Sequence, residues 1–188
     1  MKIVIESTPI PDIKVIVPEV FQDDRGFFME VFREDLFAEQ GLPTVFVQDN
    51  HSGSVKNVLR GLHFQWDPPM GKLMRVTVGR AFLVAVDIRK GSPTFGQWYG
   101  REVSAEDRIQ ILAPASCARG FCVLSEYAEI QYKCTRVYNP KGEWGILWND
   151  PAIGIKWPVN DPILSPKDSK AQTLSEWIQR PESNCFTY

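Results

Sequence analysis

Three side chains of this sequence have the acid–base properties needed to move protons on and off carbon. They are His63, Lys72 and Tyr132, and each lies in a short, mostly apolar segment. A neutral imidazole can accept a proton near neutral pH, an ammonium group can stabilise an anionic oxygen, and a phenol can return a proton. Each also has a purely structural interpretation. His63 could be a hydrogen-bonded core residue, Lys72 could extend to water from a strand end, and Tyr132 could be half-buried with its hydroxyl bonded.

Strand parity indicates which of these side chains can share a site, because alternate residues of a strand face the same side. Lys72 falls on the face of three apolar residues, Met74, Val76 and Val78, and Tyr132 on that of Ile130 and Cys134. A lysine and a tyrosine directed into an apolar interior require polar neighbours or a ligand.

A bulge is needed if Arg60 and His63 are to serve one site. The two residues have opposite parity in an ideal strand. Gly61 lies between them and is a favourable position for such a bulge.

The elements that would position these residues are mostly strands. Fourteen prolines and thirteen glycines separate short apolar runs, a pattern typical of all-β proteins. A helix is predicted over Glu34–Gln40 with Gly41 as its C′ residue, a second is predicted to begin at Ser165–Pro166, and a tight turn is predicted at Gly79–Arg80. The predicted strands are Ile13–Val17, Gly26–Phe32, Thr44–Asp49, Val58–Phe64, Leu73–Val78, Ala81–Ile88, Gly96–Val103, Arg108–Leu112, Gly120–Leu124, Glu129–Thr135 and Trp144–Trp148. We therefore expect an all-β, double-sheet jelly roll or small barrel with a few short helices.

Composition excludes several classes of protein. The 188 residues suit one domain, here taken as 1–188 with an N-terminal arm (about 1–25) and a C-terminal extension (about 160–188). A net charge of −2 gives no reason to expect binding to nucleic acid or to an anionic membrane. No apolar run is long enough to span a bilayer, and the N-terminus lacks the pattern of a signal peptide, so we expect a cytoplasmic protein.

Cysteines and histidines give no sign of a metal site. Cys117, Cys122, Cys134 and Cys185 form no CxxC pair, and we expect free thiols, with Cys134 as a small apolar filler. His51, the other histidine, lies in a polar segment (QDNHSGS) predicted to be a surface loop.

An ordered set of short motifs covers nearly the whole chain and closely resembles the dTDP-4-dehydrorhamnose 3,5-epimerase family. Each tetrapeptide alone is weak evidence, whereas the ordered set is specific. The motifs are DRGF at 24–27 with Glu30, QDNHS at 48–52, LRGLHFQ at 59–65, GKL at 71–73, VDIR at 86–89, SPTFG at 92–96, YKCT at 132–135 with Tyr138, WNDP at 148–151, IKWP at 155–158 and LSPKD at 164–168.

The resemblance implies a cupin-like jelly-roll barrel, a homodimer, a dTDP-4-dehydro-6-deoxyglucose substrate and neither cofactor nor metal. It also implies the catalytic roles. His63 resembles the general base, Asp168 the carboxylate that orients it, Lys72 the cation at the enolate, and Tyr132 the acid on the opposite face. Substrate-binding positions carried over in the same way are Arg25, Glu30, Gln48, Asn50, Arg60, Arg119, Tyr138, Glu143 and Lys167. Without the resemblance, Asp168 would be interpreted as a first-turn helix carboxylate.

Two positions depart from the family pattern. Arg119 stands where the family commonly has a histidine that lines the sugar pocket, and Met70 stands where a polar residue is common. A permanent charge at Arg119 could alter which carbon is epimerised. The substitution could equally leave the outcome unchanged.

Three alternatives remain open. The first is epimerisation at C3 or C5 alone. The second is a metal-dependent cupin, which would normally offer several closely spaced histidines that this chain lacks. The third is a non-catalytic sugar-nucleotide-binding module, because a fold alone does not specify activity.

Overall fold

The computed structural model of the protein describes residues 2–188 and is built mainly from β-strands. The strands are β1 (Ile3–Ser7), β2 (Lys14–Pro18), β3 (Val20–Asp23), β4 (Gly26–Met29), β5 (Gln48–Val55), β6 (Leu59–Gln65), β7 (Lys72–Val78), β8 (Arg80–Asp87), β9 (Trp98–Ser104), β10 (Gln110–Ala113), β11 (Cys117–Val123), β12 (Tyr127–Cys134) and β13 (Glu143–Gly145). The helices are α1 (Glu34–Glu39) and α2 (Leu174–Gln179), with 3₁₀ turns at Asp168–Lys170 and Pro181–Cys185. No helix within residues 2–188 is both long and apolar enough to cross a bilayer.

The strands form two large sheets and a separate hairpin. One sheet has six strands in the order β1-β2-β10-β7-β12-β5, and the other has five in the order β13-β6-β11-β8-β9. Strands β3 and β4 pair only with each other and form a two-stranded hairpin. The expected all-β, double-sheet jelly roll with few short helices is confirmed.

The main core lies between the two sheets and follows the alternation of each strand. Residues of one parity on β8 and β11, such as Leu83 and Phe121, meet Val76 and Ile130 from β7 and β12. Interdigitation of two inner faces in this way is how β-sandwiches bury apolar surface. The same strands direct three polar side chains to the inner side, those of Lys72, Arg119 and Tyr132. The apolar core therefore ends at these residues.

The outer faces of both sheets are also covered. The C-terminal segment packs Trp177 and Phe186 against Phe64 of the five-stranded sheet, with Phe64 and Trp177 ring centroids 4.6 Å apart. On the other side, α1 places Phe37 against Leu73 of the six-stranded sheet. The sheets are therefore held from outside as well as inside.

A buried carboxylate fixes the turn after β8. Asp87 is fully buried and accepts hydrogen bonds from Arg89 and from the hydroxyls of Ser92 and Thr94. Burial alone would raise the pKa of Asp87, but these hydrogen bonds outweigh it and lower the pKa to about 2. The VDIR and SPTFG motifs thus form one structural unit.

Several predicted boundaries are wrong. A strand was predicted over Thr44–Asp49, but β5 begins at Gln48 and continues to Val55, so His51 lies on a strand and not in a loop. Its imidazole remains exposed, with Nε2 2.9 Å from Glu129. The remaining predicted strands that overlap observed ones shift by one or more residues at their ends, while β1 and β3 were not predicted.

The helix predicted to start at Ser165–Pro166 is only a single 3₁₀ turn. Ser165 Oγ accepts the backbone N–H of Asp168 at 3.1 Å, as an N-cap would. The α-helix begins later, at Leu174, where Thr173 and Glu176 form a capping box. The first helix matches its prediction, with Gly41 at φ +66° directly after its C-cap.

Candidate active site

A cavity of about 260 Å³ opens between the two sheets and gathers most of the reactive side chains. Its walls come from β6 and β11 on one side and from β7 and β12 on the other. It is lined by Ser52, Arg60, His63, Lys72, Met74, Arg119, Gly120, Phe121, Tyr132, Tyr138 and Glu143.

A register shift at Gly61 brings Arg60 and His63 to the same cavity. His63 pairs with Arg119, whereas Arg60 pairs with Phe121, so β6 carries one extra residue between them. Gly61 has φ +129°, and a Cβ at this position would lie 2.6 Å from Gly120 Cα. The bulge that the sequence suggested is therefore present, and it depends on a glycine.

His63 and Asp168 form a short hydrogen-bonded pair. Nε2 of His63 lies 2.6 Å from Oδ1 of Asp168, and the carboxylate is almost completely buried. Burial would raise the pKa of Asp168, but the hydrogen bond and charge of His63 outweigh it, and the pKa falls below its usual range. Because an ionised carboxylate only accepts hydrogen bonds, Nε2 carries the proton and Nδ1 keeps the lone pair of the neutral ring. This is the tautomer that a general base acting through Nδ1 requires.

Lys72 and Tyr132 come from the opposite sheet. The ammonium of Lys72 lies 4.8 Å from the centre of the Tyr132 ring. Burial, followed by the charge of Arg119, lowers the pKa of Lys72 to about 8. Burial raises the pKa of Tyr132, so its phenol keeps its proton at neutral pH. The cavity thus has a base on one wall and a cation and a phenol on the other.

Glu143 links the remaining polar groups on the side of the cavity near β13. Its carboxylate accepts the Tyr138 hydroxyl at 3.0 Å and forms an ion pair with Lys167. Burial would raise the pKa of Glu143, but Lys167 and the nearby His63 outweigh it and lower the pKa. Tyr138 is half exposed, so this group reaches the surface.

Gln48 and Asn50 lie along β5, beside the cavity. Gln48 Nε2 donates to Asn50 Oδ1 at 3.0 Å, and Gln48 Oε1 accepts the backbone N–H of Tyr138 at 2.7 Å. Arg60 is exposed and donates to Ser54 Oγ at 3.0 Å. These three residues extend the polar surface outward from the cavity.

Arg25 and Glu30 are not brought to this cavity. Arg25 lies on the β3–β4 hairpin, with a side chain 91% exposed and paired to Asp23. Glu30 follows the hairpin and pairs with Arg33 at 3.3 Å. Their predicted role in substrate binding stays a prediction.

Met74, Ser52 and Phe121 line the cavity although the sequence did not single them out as site residues. For Met74 a signal existed, because it shares the face of Lys72 on β7. Ser52 and Phe121 become apparent only when the register of β5 and β11 is known. Within residues 2–188, no group of three or more His, Cys, Asp or Glu side chains is arranged to hold a metal ion.

The fold and the cavity define a jelly-roll protein with an open site between its two sheets that contains a candidate base, a cation and a phenol. The family model described as dTDP-4-dehydrorhamnose 3,5-epimerase matches residues 7–176. The chain therefore belongs to the dTDP-4-dehydrorhamnose 3,5-epimerase family.

Individual relatives agree with this assignment. The dTDP-4-dehydrorhamnose 3,5-epimerase of Salmonella typhimurium is 55% identical over 94% of this chain and 97% of its own length. The protein of the same name from Neisseria gonorrhoeae is 53% identical over 94% of this chain, which spans only 53% of that relative. Among solved structures, dTDP-6-deoxy-D-glucose-3,5-epimerase from Legionella pneumophila, in complex with dTDP-4-keto-L-rhamnose, is 45% identical with a TM-score of 0.93. That match covers 99% of this chain and 98% of the Legionella chain.

Proposed function

We propose that this protein epimerises dTDP-4-dehydro-6-deoxy-D-glucose at C3 and C5 and yields dTDP-4-dehydro-L-rhamnose for rhamnose biosynthesis. The observation that carries the proposal is the His63–Asp168 pair on one wall of the cavity, facing Lys72 and Tyr132 on the other. The ligand class follows from family membership and from the polar surface that continues outward from the cavity.

The geometry supports a two-step proton transfer at each carbon. Nδ1 of His63 takes the proton from the carbon next to the C4 ketone, and the electron pair of the C–H bond moves onto the C4 oxygen. Asp168 stabilises the imidazolium that forms. Lys72 stabilises the enolate, and the Tyr132 phenol delivers a proton to the opposite face. No step requires a metal or an organic cofactor, and we propose that the reaction uses neither.

We also propose that the active form is a homodimer. The β3–β4 hairpin projects three phenylalanines that are 48–62% exposed (Phe21, Phe27 and Phe28). Clusters of exposed aromatic side chains favour burial against another surface. A second copy of the chain would cover them, and Arg25 of this hairpin would then act on the substrate across the dimer.

A cytoplasmic location is proposed as well. Cys117, Cys122, Cys134 and Cys185 are all free thiols, as the sequence predicted, and the first three are buried. Unpaired cysteines are typical of a reducing compartment.

One specific observation keeps a second candidate function open. Arg119 lines the cavity beside His63, its pairing partner on the neighbouring strand, at a position where the family commonly has histidine. An enzyme that epimerises only C3 or only C5 would be its consequence. Product analysis separates the two functions.

The test is incubation with dTDP-4-dehydro-6-deoxyglucose in D₂O containing EDTA, with deuterium at C3 and C5 followed by NMR. We expect deuterium at both carbons, and none when His63 is replaced by alanine. His51→Ala is the matched control, because His51 is exposed on β5 and should leave exchange unchanged. Deuterium at one carbon would favour the single epimerase, and no exchange at either carbon would refute the proposed function.

A further inference from the structure

Four side chains of β5 and β12 form a patch on the inner side of the six-stranded sheet. In the antiparallel ladder between these strands, Asn50 is paired with Tyr132, and Gln48 with Cys134. Residues two apart on a strand face the same side, so the four side chains lie on one face. Tyr132, the phenol of the cavity, therefore has Asn50 directly opposite it and Gln48 one position further along β5.

Hydrogen bonds connect this patch to the backbone of the segment after β12. The backbone N–H of Tyr138 donates to Gln48 Oε1 at 2.7 Å, and Gln48 Nε2 donates to Asn50 Oδ1 at 3.0 Å. Asn50 Nδ2 donates to the sulfur of Cys134 at 3.8 Å, and the Asn50 side chain also hydrogen-bonds the phenol of Tyr132. The chain of bonds thus runs from a backbone amide to the side chain proposed as the acid.

The direction of each bond follows from the first member of the chain. A backbone N–H can only donate, so the oxygen of Gln48 must face it, and the NH₂ group of Gln48 must face Asn50. The oxygen of Asn50 therefore turns toward Gln48, and its NH₂ group turns toward β12. There it meets the phenol oxygen of Tyr132, so Asn50 donates to the phenol and does not accept from it.

A donated hydrogen bond affects the phenol in two ways. It engages a lone pair of the oxygen, so the hydrogen of Tyr132 is not directed at Asn50 and is available to the cavity that Tyr132 lines. It also stabilises the phenolate, the form that remains after the proton has been delivered. Burial raises the pKa of Tyr132, and the bond from Asn50 acts against this rise.

We propose that Gln48 and Asn50 are positioning residues that hold the Tyr132 phenol with its proton directed at the substrate and its oxygen prepared for negative charge. This inference rests on the proposed function, in which Tyr132 protonates the enolate on the face opposite His63. It adds to the substrate contacts that the family resemblance implies for Gln48 and Asn50.

The proton and electron balance of the step is simple. The electron pair of the enolate forms the new C–H bond with the phenol proton, and the electron pair of the broken O–H bond stays on the Tyr132 oxygen, where Asn50 donates. His63 still holds the proton taken from the first face. The next turnover begins when solvent returns a proton to Tyr132 and accepts one from His63.

Gln48→Glu reverses the direction of the chain. A carboxylate still accepts the Tyr138 N–H but has no hydrogen to donate, so Asn50 must turn its NH₂ group to position 48 and its oxygen to Tyr132. The phenol then donates to Asn50, and delivery of its proton to the sugar is lost. Removal of the substrate proton by His63 is not directly affected.

The readout is the fate of the enolate in D₂O containing EDTA. NMR measures separately the product inverted at C3 or C5 and the recovered substrate that has gained deuterium with its original configuration. The His63 side chain is 26% exposed, so it exchanges its proton with solvent and can return deuterium to the first face. We expect inversion to fall about 10²-fold in Gln48→Glu, within the usual contribution of a general acid, while deuterium in recovered substrate falls less than about threefold. KM should be nearly unchanged.

Gln131→Glu is the matched control. Gln131 lies on β12 with parity opposite to that of Tyr132, and its oxygen accepts from Arg75 at 3.0 and 2.7 Å. The same charge is thereby introduced into the same sheet but outside the cavity, so inversion should not change. In Gln48→Glu, an equal fall of inversion and exchange, no change in either, or a rise in KM alone would each overturn the inference. Absence of exchange in the unmodified protein would instead refute the proposed function.

A measurement on the unmodified protein decides the question if the variant does not fold. Neutron diffraction from crystals grown in D₂O locates the deuterons of the amides and the phenol. We expect the deuterated nitrogen of Asn50 to face Tyr132 and the phenol deuteron to be directed into the cavity. An Asn50 oxygen turned toward Tyr132, with the phenol deuteron directed at it, would overturn the inference.

Discussion

Exchanging Asp168 for asparagine removes one negative charge beside the base and keeps the size of the side chain. The amide can still accept the Nε2 proton of His63, or it can turn and donate to Nε2. In the second case the ring must carry its proton on Nδ1, and the base is lost. Even in the first case, the imidazolium formed during the reaction has no anionic partner.

The size of the effect follows from the geometry. Nε2 and Oδ1 are 2.6 Å apart, and Asp168 is only 4% exposed. Both charges are delocalised, so their centres are about 4 Å apart, which gives roughly 4 kcal/mol at an effective dielectric constant of about 20. Each 1.36 kcal/mol is a factor of ten in rate, so we expect kcat to fall about 10³-fold.

The assay is deuterium exchange at C3 and C5 under saturating substrate. Thermal unfolding is measured in parallel, since the carboxylate also accepts the Gly61 N–H at 3.4 Å. Asp161→Asn is the control, because Asp161 is an exposed carboxylate in the same C-terminal segment. A folded Asp168→Asn protein with more than about a tenth of the original kcat would refute the reasoning, because the charge would then contribute under 1.4 kcal/mol.

Three further outcomes are expected from the structure. For Lys72, whose pKa is about 8, kcat should decline as the pH rises through 8 because the enolate loses its cation, and Lys72→Gln should be slow at every pH without this limb. For Asp87, the pKa is lowered from 3.8 to about 2, so its charge contributes stability above pH 4 that is lost between about pH 4 and 2. Asp87→Asn should therefore reduce the free energy of unfolding at pH 7 by about 2 kcal/mol, measured by urea titration. Gly61→Ala should cost at least about 2 kcal/mol and reduce exchange, because the new Cβ meets Gly120 at a positive φ and displaces His63.

Matched variants separate these effects from general damage. Lys56→Gln removes an exposed lysine and should leave the pH profile of kcat unchanged. Asp161→Asn should leave acid stability unchanged. Gly91→Ala also places an alanine at a positive φ, +76° against +129° at Gly61, but with open space around the new Cβ, so it separates the cost of a positive φ from that of the clash. Equal effects of Gly61→Ala and Gly91→Ala on exchange would contradict the role given to the bulge.

Sequence reasoning located two strands of the site, β6 and β12, more accurately than two others, β5 and β11. The segment around Tyr132 alternates apolar and polar residues, whereas the segment around His63 is a short apolar run interrupted by Gly61, and both strands were predicted within one or two residues. Strand β5 was placed too early because its polar residues Gln48, Asn50 and Ser52 resemble a loop. In the fold, they form an edge strand whose inward side meets a cavity and not an apolar core.

The site was harder to predict from residue types than from the ordered motifs. Asp168 is over a hundred residues from His63, and nothing local to either residue indicates the pairing. The same limit applies to Arg119. The sequence shows that residue 119 is an arginine. Which of its guanidinium nitrogens have hydrogen-bond partners depends on carbonyl groups of two separate segments, and only the folded chain shows it.

Because the reactive groups are divided between two sheets, the apolar core sets the distance between them as well as contributing to stability. His63 and Arg119 move with one sheet, and Lys72 and Tyr132 with the other, so the gap between proton donor and acceptor is set by the side chains that separate the sheets. Val76 and Leu83 act in this sense as spacers, because their volume determines how far apart the two walls stand. Trimming or enlarging such a spacer would change the reach of the proton transfers without altering any side chain that lines the cavity.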